Sequence, residues 1–202
     1  MQKFLIFWLI LCLLLAGCSK ATKEPAPEAK APSFDPYDSF YTSLKSSLED
    51  KNHAQALSVI KSMKEAVWAE APLMLENAKF VKASENTYGV YEPEEDDIYD
   101  AGEPIYLYIE PAGYKILKNE AGYYEFGFSA DFQVASESGE ILGGQQEFAR
   151  LPFKSWNPNS EISITFTYNF SGLPSGKYKI ITTVSDLNSE KKATIENWFT
   201  VR

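Results

Sequence analysis

Residues 162–170 read Ile-Ser-Ile-Thr-Phe-Thr-Tyr-Asn-Phe, an unbroken alternation of apolar and polar side chains. Successive side chains of a strand point to opposite faces, so a period of two specifies a strand and is incompatible with an amphipathic helix. Ile162, Ile164, Phe166, Tyr168 and Phe170 share one face, and burying them contributes about 1.5–3 kcal/mol each. The same period recurs along the C-terminal two thirds of the chain. Ile105, Leu107 and Ile109 alternate with Tyr106, Tyr108 and Glu110. Tyr124, Phe126, Phe128, Ala130, Phe132 and Val134 line one face of a long strand, and Tyr178, Ile180, Thr182 and Val184 line another. Leu75–Lys82, Tyr88–Tyr91, Glu140–Phe148 and Thr194–Val201 are expected to be further strands. Turns fall at Ser138-Gly139, at 171–176 and at 187–190. Short strands at this spacing predict an antiparallel β-sandwich of about seven strands over residues 73–202.

Ahead of the strands the period lengthens. Asp35 is placed to cap a helix and Pro36 to occupy its first position. Tyr37, Phe40, Tyr41, Leu44 and Leu48 then recur at helical spacing. Lys51-Asn52-His53 interrupts the pattern. A second helix places Ala56, Leu57, Ile60, Met63, Val67 and Trp68 together, with Lys61, Lys64 and Glu65 largely off that face. Residues 34–72 are therefore expected to form an N-terminal helical hairpin that needs the strands for support. The fold class is α+β. Residues 19–33, SKATKEPAPEAKAPS, carry three prolines and mixed charge and cannot bury a core. They read as a tether reaching about 45 Å at ~3.1 Å per residue.

The first residues are a basic Lys3 followed by thirteen uncharged residues, Phe4 to Ala16. A membrane-spanning helix needs about 20. A short apolar core closed by small residues is the pattern of a secretory signal. Its end, Leu15-Ala16-Gly17-Cys18, resembles the lipobox of bacterial lipoproteins. The resemblance implies cleavage after residue 17 and lipid on Cys18, which becomes the first residue of the mature chain at the head of segment 18–33. Such proteins usually carry three acyl chains, and two or more anchor a protein stably. Ser19, where Asp tends to retain such proteins at the inner membrane, implies export to the outer membrane of a Gram-negative cell, facing the periplasm.

The closing segment Gly172-Leu173-Pro174-Ser175-Gly176-Lys177-Tyr178, followed by a strand, a polar turn and a last strand, is similar to the end of bacterial immunoglobulin-like and fibronectin-III-like domains. The resemblance places Tyr178 at the tyrosine corner, with its hydroxyl bonded back to the preceding turn. It implies an Ig-like sandwich and no particular activity.

Composition removes several chemistries. Cys12 leaves with the signal and Cys18 carries lipid, so no thiol remains for disulfides, catalysis or metal ligation. His53 is the single histidine, which excludes a multi-histidine zinc site. No cofactor is expected. The formal charge is −9, and it becomes −10 once Lys3 is removed. Such a chain repels nucleic acid and anionic lipid. Lys177, Lys179, Lys191 and Lys192 read as solvated strand and turn residues. Two candidate sites stand out. Glu94, Asp96, Asp97 and Asp100 lie in the densest carboxylate run, a loose calcium candidate whose spacing is not that of an EF-hand; the alternative is a solvated loop guarding a strand edge. Tyr106, Tyr108, Tyr114, Tyr123 and Trp156 do not all fit the inward pattern and are a candidate platform for sugar rings; the alternative has the hairpin packed over them. Gly172–Lys177 falls one residue short of a phosphate loop. No pair of carboxylates is singled out for glycoside hydrolysis. The sequence thus points to a lipid-anchored envelope protein, not an enzyme, that binds or scaffolds a protein or polysaccharide. The alternative is a carbohydrate-binding or carboxylate-dependent glycan-processing protein.

Overall fold

The computed structural model describes residues 37–202. The lipobox, the tether and the Asp35-Pro36 helix start lie outside the described residues. Two helices come first, α1 (Asp38–Glu49) and α2 (His53–Glu70). The chain leaves α1 through Lys51, whose φ of 54° is left-handed. There the Asn52 N–H donates to Ser47 O and the Lys51 N–H to Leu48 O, which closes the helix end as a Schellman turn. Asn52 then caps α2, its side chain accepting from the Gln55 N–H at 3.1 Å. The helix ends where Ala71 turns extended before Pro72.

The hairpin does not bury the face that its large apolar residues suggest. The fully buried positions of the two helices are Ser47, Ala56 and Val59, while Tyr41, Leu48, Leu57, Ile60 and Val67 are exposed. The helical spacing alone does not say which face is buried. His53 opens α2 and is exposed.

Nine strands follow: β1 (Met74–Val81), β2 (Ile98–Tyr99), β3 (Ile105–Ala112), β4 (Leu117–Lys118), β5 (Tyr124–Ser136), β6 (Ile141–Ser155), β7 (Ile164–Tyr168), β8 (Gly176–Asp186) and β9 (Lys192–Val201). The count exceeds the expected seven because β2 and β4 are two-residue strands, too short to show a period. Tyr88–Tyr91 is not a strand. Thr87 and Val90 form an isolated bridge around a turn instead. One sheet has the order β1-β3-β7. The other has the order β2-β9-β8-β5-β4, with β6 also paired to β5. All pairings are antiparallel except β2 with β9.

One core is built from both sheets. Leu107, Ile109, Ile164 and Phe166 come from the first, and Phe128, Val134, Ile180, Val184 and Phe199 from the second. Tyr168 and Thr182 are both buried, and their hydroxyls meet at 2.7 Å. Tyr178 donates from its hydroxyl to Pro174 O at 2.7 Å, which holds the 171–176 turn against the start of β8.

β3 is buried on both faces. Its inward face is Ile105, Leu107 and Ile109, as the period predicts. Its other face is roofed by residues 84–91, with the Tyr91 ring 4.2 Å from that of Tyr108. The Gly89 N–H donates to the Tyr108 hydroxyl at 2.9 Å and to Glu110 Oε1 at 3.1 Å. Asn77, left-handed at the bulge of β1, donates from its side chain to Glu110 Oε2 at 2.7 Å.

Candidate functional site

The five aromatic residues do not converge. Tyr108 lies under the 84–91 roof, and Tyr114 is fully buried at the end of the core. Tyr106 is half-buried on β3. Tyr123 and Trp156 do meet, edge to face with ring centres 6.1 Å apart, and Trp156 is 78% exposed. Lys154 reaches over the Tyr123 ring, 4.8 Å from its centre. Of the five candidates, Tyr123 and Trp156 alone meet at the surface. The cover over Tyr114 does come from the hairpin, and that over Tyr108 from the 84–91 loop.

The carboxylate run is also spread out. Asp100 pairs with Arg202 Nε at 2.8 Å, and that hydrogen bond holds its carboxyl below the usual range. Asp96 Oδ1 accepts from the Ile98 N–H. Burial pushes the carboxyls of Glu94 and Asp97 up. Among the described residues no three acidic, histidine or cysteine side chains converge in a metal-binding group.

A different set of residues comes together where α2 meets the strands. Trp68 donates from Nε1 to Tyr114 O at 2.7 Å, and the two rings meet edge to face at 5.2 Å. Tyr114 passes the contact on, its hydroxyl donating to Asn159 O at 2.7 Å. Lys64 lies one turn before Trp68 and donates to the Ser160 hydroxyl at 2.9 Å. Lys191 donates to Ala69 O at 3.0 Å and to Gly113 O at 2.8 Å, a cation placed on the carboxyl-terminal end of α2 where the helix dipole favours it. Asp186 is buried and fixes the opposite wall. Its carboxylate accepts from the Lys115 N–H at 2.8 Å, the Asn188 N–H at 2.9 Å and the Ser189 hydroxyl.

Between these parts lies a cleft of about 680 Å³. Its walls include Lys61, Lys64, Lys115 and Lys191, with Glu65 as the one carboxylate, and the rings of Trp68 and Tyr124. None of the ion pairs among the described residues involves these four lysines. An acidic protein thus carries a concave surface of the opposite sign. Its volume lies within the ~300–1,000 Å³ of small-ligand sites. Lys61, Lys64 and Trp68 are legible in the sequence as one helical stripe, at spacings of three and four. Lys115 and Lys191 join them only through the fold, and the strand-and-turn reading of Lys191 misses its place against α2. The cleft can hold and orient an anion.

Over the described residues, fold and site define an α+β protein of two helices and two sheets with a lysine-rich cleft at the helix–sheet junction. No protein-family model matches the chain, and no curated protein matches it. Among solved structures, the chain is similar over 77% of its length to an alkylpurine DNA glycosylase, AlkC, of Pseudomonas fluorescens bound to DNA, at 11% identity and a TM-score of 0.35. It spans 35% of that chain. It is also similar to the CARDB domain of a Pyrococcus furiosus protein in complex with di-metal ions, at 14% identity and a TM-score of 0.29, covering 52% of this chain and 84% of that one. Both TM-scores lie below 0.5, and nothing about the present chain is inferred from either.

Proposed function

We propose that the chain is a lipoprotein of the cell envelope, anchored through lipid on Cys18 in the outer membrane and facing the periplasm. Its folded part is an Ig-like sandwich with a helical hairpin, serving as a non-enzymatic binding module for a protein or polysaccharide. The observation that carries the anchor is Leu15-Ala16-Gly17-Cys18 closing an apolar run too short to span a bilayer. Residues 19–33 carry three prolines and mixed charge, as a tether running on from Cys18 would. No helix among the described residues is long and apolar enough to cross a membrane. The Tyr178–Pro174 hydrogen bond supports the Ig-like reading, being the contact expected of a tyrosine corner. The cleft supports the binding reading through its lysines and half-buried rings, which can hold and orient an anion.

The test is metabolic labelling with palmitate in a Gram-negative host, followed by membrane fractionation. The parent chain is expected to take up label and to sediment with the outer membrane. Cys18→Ser is expected to lose the label and stay out of that fraction. An unlabelled parent, or a Cys18→Ser chain that sediments unchanged, removes the anchor.

A further inference from the structure

We propose that the cleft between α2 and the strands binds an acidic sugar unit, carrying a carboxylate or a phosphate. The inference rests on the reading of the folded part as a binding module, and it names the chemistry of what is bound. Charge sets the sign. The whole chain is −9, yet the cleft gathers four lysines against Glu65 in its lining and the buried Asp186 behind its wall. Like charges repel, so such a gathering in an acidic protein costs stability until an anion offsets it. Two of the lysines are held in place, Lys64 on Ser160 and Lys191 on Ala69 and Gly113. The side chains of Lys61 and Lys115 have no hydrogen-bond or ion-pair partner among the described residues. They are the ammonium groups left for a ligand.

The rings set the class. Trp68 and Tyr124 are half-buried in the cleft wall. Trp68 is fixed at its Nε1 and at the edge-to-face contact with Tyr114, and Lys64 Nζ lies 5.9 Å from its ring centre, so a rigid ring and a cation are presented side by side. A sugar presents apolar C–H faces to such rings and its acid group to the lysines. A bare anion uses only the second feature. An acidic peptide carries its charge on flexible side chains and offers no comparable flat face.

The experiment titrates the full chain, lipidated and in non-ionic detergent, by calorimetry at low salt. The probes are tetragalacturonate, glucose 6-phosphate, neutral maltotetraose, tetraglutamate and inorganic phosphate. At least one acidic sugar is expected to bind tenfold or more tighter than the other three probes, and which one binds identifies the acid group. Lys61→Gln with Lys115→Gln is expected to weaken that binding about tenfold and to flatten its salt dependence, with a urea midpoint no lower than the parent's. Lys192→Gln, outside the cleft, serves as the control and is expected to bind like the parent. Absence of binding by both acidic sugars at millimolar concentration overturns the proposal. So does equal binding of tetraglutamate or phosphate, or a double variant that binds like the parent. Because the chain is tested in detergent, failure here leaves the Cys18 anchor standing, and failure of the anchor leaves this measurement interpretable.

Discussion

Glu110 is the residue whose surroundings are most specific. A carboxylate with 5% of its surface exposed is costly unless every lone pair is used. Tyr108 donates to it at 2.6 Å, Asn77 at 2.7 Å and the Gly89 N–H at 3.1 Å. Burial alone raises its carboxyl, but the three donors outweigh burial and leave it below the ordinary value of 4.5. Burial and the Glu110 hydrogen bond push the Tyr108 hydroxyl up to about 12, so it stays a donor across the physiological range. A carboxyl depressed in the folded state stabilises the fold above its unfolded value, and that contribution disappears as pH falls through the folded value. Glu76 opposite Glu110 and Lys79 opposite Tyr108 in the β1–β3 register, Tyr91 over Tyr108 and the nearby Tyr88 are other titratable groups on this face. Glu110→Gln is expected to cost about 1–3 kcal/mol at pH 7 and to reduce the loss of stability between pH 5 and pH 3. Urea unfolding of parent and variant at both pH values measures this. An equal acid-induced loss in the two proteins places the effect elsewhere.

Among the elements, the junction of α2 with β3 rests on very few contacts. Gly113 follows β3 with a φ of +77°, and a Cβ placed there lies 2.1 Å from Pro72 O. Backbone and not a flexible side chain occupies that space, so relief requires the end of α2 to move. Gly113→Ala is expected to destabilise the protein by about 2–4 kcal/mol, from left-handed strain and the clash together. Lys191→Met, which removes the donor to Ala69 O and Gly113 O, is expected to act in the same direction. Amide exchange of the last turn of α2 is expected to quicken in both variants, and parent-like exchange and midpoints rule out the junction as a support. The strands that such contacts join were far more legible than the contacts. β5, β7 and β8 follow the period because alternation is local, and burial of one face enforces it residue by residue. β3 obeys the same period on its inner face. Burial of its Tyr108 and Glu110 face was hidden because the cover is a hydrogen-bonding loop without an apolar pattern. The hairpin was legible as two helices and only partly in its packing: Ala56 is buried as expected, but Ser47 and Val59 are buried where Leu57 and Ile60 were expected. The cleft was half legible, since Lys61, Lys64 and Trp68 share a helix whereas Lys115 and Lys191 arrive from strand ends.

For the whole molecule, two electrostatic effects oppose each other, and their magnitudes decide the outcome. The ion pairs lie mainly at the surface. Arg202 and Asp100 are each 68% exposed, and Lys45 and Glu49 are 78% and 67% exposed. Such pairs contribute about 0–1 kcal/mol and weaken with salt. Against them stands the self-repulsion of a chain of net charge −9, to which the lysines gathered around the cleft add repulsion of the opposite sign. Both repulsions destabilise the compact state and both are screened. Screening shortens the Debye length from about 30 Å at 0.01 M to about 8 Å at 0.15 M. Contact pairs at about 3–4 Å lie inside either length, so they lose little. Repulsion between charges spread over the surface acts across longer distances and loses most. Salt is therefore expected to stabilise this protein. The urea midpoint of the Cys18→Ser chain is expected to rise from about 0.01 M to about 0.15 M NaCl, with a smaller rise in the Lys61→Gln, Lys115→Gln variant, whose cleft repulsion is already relieved. A midpoint that falls with salt assigns the larger share to the surface pairs. An equal rise in parent and variant means that the cleft lysines do not strain the fold.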